Sequence, residues 1–379
     1  MGGELAELGK VLGEEAAAGV GGIAAIHGAI AGRVFARLGG GAAPVRLGHD
    51  AIAGAVYASV AGSAAVAGRL AGAALPERTL STGRRGAIGL GVLTGLRGDH
   101  LDGSALHAPM AFRREGRVLR VPEDVPHARG RLVIFLHGLF ETEHAWTAAG
   151  EGYAPRLERA LGVTALHVRY NSGRHISTNG RDLARLLDET VAAWPVPVRG
   201  IALVGHSMGG LVARSACHRG GAFAAHVTHV ISLGTPHAGA PLAQGVHHAT
   251  HLLGRLPETR PFAGLLRRRS AGIRDLRSAA LVDADWDGHD PDALKAVACA
   301  EVPLLPGATH CFVAATITRD RDHPVGRLVG DWLVLAPSAI GRGRIPAGLG
   351  TVLHVGAAHH LALLDHPAVG AKLREWLAS

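Results

Sequence analysis

The chain has 379 residues, 47% of them hydrophobic and 18% charged, with a formal net charge of +8. So large an apolar fraction with so few charges excludes a disordered chain and sets a globular protein with a substantial core. The arginines are spread along the whole sequence without a nucleic-acid-binding motif, so the positive charge reads as a solvated basic surface.

Residues 1–107 are rich in alanine and glycine and are expected to be helical. Ala16–Gly32 and Ala51–Gly68 carry no Asp, Glu, Lys or Arg and approach membrane-spanning length. Glycine, serine and alanine contribute little to insertion, however. These stretches are read as small-residue helices packed on each other or on the main domain, with peripheral membrane contact as the second reading. The first ten residues, MGGELAELGK, lack the basic and apolar regions of a secretory signal. Cys217, Cys299 and Cys311 form an odd set without metal spacing and fit reduced thiols. The expectation is a cytoplasmic protein, with any membrane association made through the N-terminal region.

The main domain is expected over residues 108–379. Pro109–Phe112 and Val118–Val121 flank a turn and predict a hairpin. Apolar runs then predict strands at Leu132–Leu136, Ala165–Tyr170, Ile201–Val204, Val230–Leu233, Cys311–Ile317 and Thr351–Val355. Helices are predicted between them at Tyr153–Leu161 and Arg181–Trp194, and a closing one at Val369–Leu377. Strands alternating with helices imply a mostly parallel sheet covered on both faces. The rhythm breaks between Pro241 and about Leu305, where an insertion over 241–305 reads as a cap or lid.

Gly205-His206-Ser207-Met208-Gly209-Gly210 lies between a predicted buried strand and a predicted helix. In that setting Gly-x-Ser-x-Gly is the signature of a nucleophile elbow. Glycines two before and two after the serine remove Cβ atoms that a tight strand-to-helix turn would not accommodate. A serine hydroxyl needs a general base, a carboxylate to orient that base, and donors for the developing oxyanion. The elbow predicts these in the chain order Ser, Asp, His. Phe135-Leu136-His137-Gly138-Leu139-Phe140 follows a strand and supplies an oxyanion loop. The donors are assigned to the backbone N–H groups of Leu139 and Met208. His137 reads as structural, holding that loop.

His137-Gly138, the Ser207 elbow and Leu233-Gly234-Thr235-Pro236-His237-Ala238-Gly239 resemble the α/β-hydrolase superfamily. Within it they are most similar to serine lipases and esterases related to bacterial triacylglycerol lipases and PGAP1-like hydrolases. The resemblance spans roughly residues 110–379 and leaves the N-terminal region unexplained. It implies an α/β-hydrolase fold and a lipid-like or other acyl-ester substrate. The family's late histidine, followed by a Leu-Leu pair and a proline, aligns with His360, and His359 is its rival. The family's Gly-Asp-Gly-x-Val pattern aligns with Asp331, although Trp332 stands where that pattern has glycine. Asp320 and Asp322 are the alternative acids.

The function implied is a carboxylic ester hydrolase working through Ser207, His360 and Asp331 and an acyl-enzyme, with no cofactor. Its partner would be a small-molecule acyl ester or a lipid. An acyltransferase or thioesterase using the same triad is the enzymatic alternative, and a lipid-binding scaffold the non-enzymatic one. His247 and His251, one helical turn apart, could share a metal with Asp283, Asp285 or His289, but a polar cap helix is the preferred reading. Tyr170–His175 either lines a substrate pocket or forms a polar loop. Arg267–Arg269 reads as solvated surface, and Gly86, Gly89, Gly91 and Gly95 lack the setting of a nucleotide fingerprint.

Overall fold

The computed structural model describes residues 3–38, 40–74, 79–107, 109–148, 150–240, 269–290 and 299–378. The chain divides into two units. The smaller holds residues 1–80 and the short segments 103–106 and 245–269, and the larger holds 81–102, 107–244 and 270–379.

The smaller unit is built on two long helices, α1 (Glu4–Leu38) and α2 (Ala43–Ala74). They run antiparallel, and glycines let the backbones meet: a Cβ on Gly9 would lie 2.4 Å from the Gly68 carbonyl oxygen. One on Gly72 would lie 2.8 Å from the Ala6 carbonyl oxygen. Large apolar side chains point away from this contact and are exposed, among them Leu12, Ile23, Leu47, Ile52 and Leu70.

The larger unit is organised on an eight-stranded sheet. Its strands are β1 (Ala111–Arg114), β2 (Arg117–Val118), β3 (Arg131–Leu136), β4 (Thr164–Arg169), β5 (Gly200–His206), β6 (Val227–Leu233), β7 (Thr309–Thr316) and β8 (Thr351–Gly356). The spatial order is β2-β1-β4-β3-β5-β6-β7-β8. The β1–β2 hairpin is antiparallel and β1 pairs antiparallel with β4, while every other pairing is parallel. β3, β5 and β7 are buried almost end to end, which explains why they read as continuous apolar runs. One core, with Ile134, Leu183, Leu203 and Leu211, fills one face of the sheet. A second, with Phe135, Trp146, Val204, Val313 and Leu373, fills the other.

The helices α3 (Arg84–Arg97), α4 (Tyr153–Leu161), α5 (Ile176–Ala193) and α6 (Met208–Arg219) precede the cap region, and Pro367–Ala378 closes the chain. Helix α5 starts five residues before the predicted Arg181. Its first turns are buried through Ser177, Asn179 and Gly180, which break the apolar period. Gly180 is needed there for close packing, since a Cβ would lie 2.3 Å from Ser215 Oγ on α6. Residues 241–268 and 291–298 of the expected cap lie outside the described residues.

Candidate active site

Strand β5 ends at His206 and α6 begins at Met208, so Ser207 alone makes the turn between them. Its backbone sits at φ 51° and ψ −122°, a region that surrounding packing must enforce. The flanking glycines make the turn sterically open. A Cβ on Gly205 would lie 2.3 Å from the Gly210 nitrogen, and one on Gly209 would lie 2.4 Å from the Leu136 carbonyl oxygen. The Ser207 N–H donates to the Leu233 carbonyl at 2.8 Å and fastens the elbow to the end of β6.

After β3, the ring of His137 is fully buried and stacked on Tyr170, with centroids 4.2 Å apart. Its Nε2 accepts from the Tyr170 N–H at 3.3 Å, so the proton of the neutral ring sits on Nδ1, 2.9 Å from the Gly138 carbonyl. Burial lowers its pKa and favours that neutral form. His137 thus braces the loop. The Gly138 N–H donates to Glu141 Oε2 at 2.6 Å and the Phe140 N–H to Ser172 Oγ at 3.2 Å. The Leu139 N–H between them has no acceptor among the described residues. The Met208 N–H is the first of α6, where no residue of the helix can accept it.

His360 opens the short turn His360–Leu364 that follows β8 and is 4% exposed. Its Nδ1 lies 2.7 Å from Asp331 Oδ2, and its backbone N–H donates to the Asp331 carbonyl at 2.9 Å. The other carboxylate oxygen, Oδ1, accepts from the N–H groups of Leu333 at 3.0 Å and Val334 at 2.8 Å. Asp331 is 1% exposed and held on both oxygens. His360 Nε2 is buried with no hydrogen-bond partner. The ring lies against Gly234, where a Cβ would be 3.1 Å from His360 Cε1 and Nδ1. Gly234 follows Leu233, whose carbonyl holds the Ser207 amide, so imidazole and elbow meet at one strand end.

The rival residues lie elsewhere. His359, Asp320 and Asp322 are exposed; Asp322 pairs with Arg321, and its N–H donates to Asp320 Oδ1 at 2.9 Å. Trp332 takes a left-handed backbone, φ 85°, at the position where the resemblance has glycine.

A buried histidine and a half-buried glutamate that motif reading passed over also stand at the site. Glu141 Oε2 lies 3.0 Å from His206 Nδ1, and His206 Nε2 lies 3.3 Å from the His360 carbonyl. His206 was visible only as the variable residue before the serine. Nothing in the sequence pairs it with a glutamate 65 positions away.

In the Tyr170–His175 loop, Asn171 Nδ2 donates to the Gly98 carbonyl at 2.9 Å. His175 contacts Asp275 at 3.0 Å and stacks on Trp286 at 3.7 Å. These polar groups are engaged by protein. His247 and His251 lie outside the described residues, as do Arg267 and Arg268. Asp285 accepts from the amides of Leu281, Val282 and Ala300, and no metal-holding group of three is found among the described residues.

A cavity of about 620 Å³ lies between the loop after β3 and the turn after β8, walled by Ile88, Phe140, Ala145, Leu361 and Leu364. A larger one, about 910 Å³, surrounds Arg214, His237 and Arg344, and neither cavity is lined by Ser207, Asp331 or His360.

The sheet order, the serine elbow after β5 and the late histidine after β8 define an α/β-hydrolase fold. Residues 179–277 match the PGAP1-like alpha/beta domain family. No curated protein matches the chain. Among solved structures it is similar to the mature Bacillus licheniformis lipase, at 19% identity and a TM-score of 0.43 over 69% of this chain and 96% of that one. It is similar also to the Staphylococcus hyicus lipase, at 14% identity and a TM-score of 0.39 over 69% and 95% of the two chains. A lipase-esterase related protein from Clostridium acetobutylicum matches at 14% identity and a TM-score of 0.38, over 66% and 96%.

Proposed function

We propose that this chain is a carboxylic ester hydrolase of lipase or esterase type, acting through an acyl-enzyme on Ser207. The observation that carries the reading is His360. One ring nitrogen is bound by the buried Asp331 carboxylate, and the other is buried, unpartnered and beside the strand end that fixes Ser207. That is the arrangement of a general base awaiting a hydroxyl, whose hydrogen bond commonly tightens only with substrate in place.

His360 Nε2 takes the proton as Ser207 Oγ attacks the ester carbonyl, and the alkoxide-like oxygen is received by the Leu139 and Met208 N–H groups. His360 then protonates the leaving alcohol. Water, deprotonated by the same nitrogen, attacks the acyl-enzyme and releases the acid. Asp331 fixes the tautomer and stabilises the imidazolium. The apolar cavity beside Phe140 and Leu361 offers room for the hydrocarbon part of the substrate. The α1–α2 hairpin, apolar on its outside, is the element by which the protein would meet lipid.

Turnover of p-nitrophenyl esters of increasing acyl length, and of an acyl-CoA, tests this reading. Ser207→Ala and Asp331→Asn should each lose at least about 10³-fold in kcat. Asp322→Asn should lose little. Wild-type-like turnover by Ser207→Ala would sink the mechanism, and the reverse order of the two aspartates would reject Asp331. Acyl transfer outrunning hydrolysis would favour the transferase.

A further inference from the structure

A chain of hydrogen bonds runs beneath the site without touching the reacting atoms. Glu141 Oε2 accepts from the Gly138 N–H at 2.6 Å and lies 3.0 Å from His206 Nδ1. His206 Nε2 lies 3.3 Å from the His360 backbone carbonyl. Both partners of the ring are acceptors only: a carboxylate oxygen that already takes an amide proton, and a main-chain carbonyl. With the carboxylate ionised, both ring nitrogens carry hydrogen, which makes His206 an imidazolium although it is fully buried.

A buried cation is tolerated when it is paired. Burial pushes the Glu141 carboxyl up, but the His206 charge and the bonds from His206 and Gly138 outweigh it and hold the carboxyl at about 2. Burial likewise pushes His206 down, and Glu141 more than restores it, leaving it above the ordinary histidine range. Asp331, facing the pair from another element, acts in the same sense and raises His206, while the neutral His137 adds no charge. The His360 ring lies 4.7 Å from that of His206.

The three segments joined are the oxyanion loop, the elbow and the loop that presents the base. Their closeness is visible at Gly138, where a Cβ would lie 3.0 Å from Glu141 Oε2 and 3.1 Å from Ser207 Cβ. We propose that the His206 imidazolium and the Glu141 carboxylate are positioning residues, locking the Leu139 amide, Ser207 and His360 into one spacing. This rests on the ester-hydrolase reading above.

The lock has a pH signature. A group whose folded pKa is raised keeps its bond below that value and loses it as pH rises through it. Glu141 lets go only as pH falls toward 2. The pair therefore fails first on the alkaline side. In Glu141→Gln the counter-charge is gone, so kcat should fall about 10²-fold with KM little changed. The alkaline limb of kcat should move down by about one unit or more. Nitrogen-15 spectra of histidine-labelled full-length protein, followed upward from pH 6, read the charge directly. One ring should show both nitrogens protonated, and its signal should vanish in His206→Gln. Should that variant fail to fold, Glu141→Gln identifies the same ring by its altered titration. A fluorophosphonate probe separates the two readings. A wild type that is neither labelled at Ser207 nor active on esters defeats the hydrolase. A labelled, active wild type with neutral His206 overturns the lock alone, as does a Glu141→Gln variant with unaltered kcat and pH profile.

Discussion

Trp332 shows what one side chain costs at a tight turn. The loop from Gly330 to Val334 is closed by bonds from the Asp331 N–H to the Val334 carbonyl at 3.2 Å and from the Val334 N–H to Asp331 Oδ1 at 2.8 Å. Closing it puts Trp332 at φ 85°, where a Cβ-bearing residue loses about 1–2 kcal/mol. Its ring is 66% exposed, so packing returns little of that loss. Trp332→Gly should therefore stabilise the protein, less a glycine entropy cost of about 0.5–1 kcal/mol. The net corresponds to a rise of about 1–3 °C in the thermal unfolding midpoint followed by circular dichroism. A lower midpoint would show that the indole makes contacts worth more than the strain. Asp331 was legible as a candidate acid because its setting resembles the family's Gly-Asp-Gly-x-Val pattern. Glu141 and His206 were not, because an ion pair between distant segments leaves no local pattern.

Among the elements, α3 departs most from what composition suggested. Its alanines and glycines group it with the N-terminal region, yet Ser81–Asp102 belongs to the larger unit and α3 packs on the loop after β3. A Cβ on Gly95 would lie 2.3 Å from Phe140 Cδ1, and one on Gly91 would lie 2.9 Å from the Glu141 carbonyl oxygen. The small residues that permit this approach also erase the apolar stripe by which a packed helix is normally recognised. The sheet strands were legible for the opposite reason, since burial on both faces demands unbroken apolar runs such as Leu132–Leu136. Helix α5 was half legible: Leu183 and Leu187 mark its buried face, while Ser177, Asn179 and Gly180 conceal its start. The packing of α3 makes a paired prediction. Gly95→Leu should push Phe140 and the Leu139 amide aside and cost about 10²-fold in kcat. Gly89, on the same helix, has nothing within 4 Å of its would-be Cβ. Gly89→Ala should keep full activity and gain about 1 kcal/mol from helix propensity. Equal effects of the two substitutions would mean that α3 does not buttress the loop.

At the scale of the molecule, the smaller unit presents an apolar surface that water does not favour. Helices of 35 and 32 residues are each about 50 Å long, more than a hydrocarbon core of about 30 Å requires. Leu47 is 74% exposed, Ile52 69% and Ile23 58%, and soluble monomers rarely leave so many large side chains uncovered on one helix pair. Between the helices the contact is made by Gly9, Gly13, Gly68 and Gly72, which bring backbones together as small residues do in membrane helix pairs. Alanine and glycine lower the insertion energy per residue, so for insertion the pairing of the helices and their outward leucines, isoleucines and valines would have to supply what the composition lacks. The full chain should then float with phosphatidylcholine–phosphatidylglycerol vesicles, while a chain beginning at Ser81 stays in the dense fraction. Raising the salt concentration discriminates the mode of contact, because attraction of the +8 chain to anionic lipid is screened and apolar insertion is not. Flotation that survives about 1 M salt and is lost in Gly68→Leu would establish a paired, inserted hairpin. Flotation abolished by salt would confine the contact to the bilayer surface, and none at any lipid composition would show that the outward residues meet protein instead.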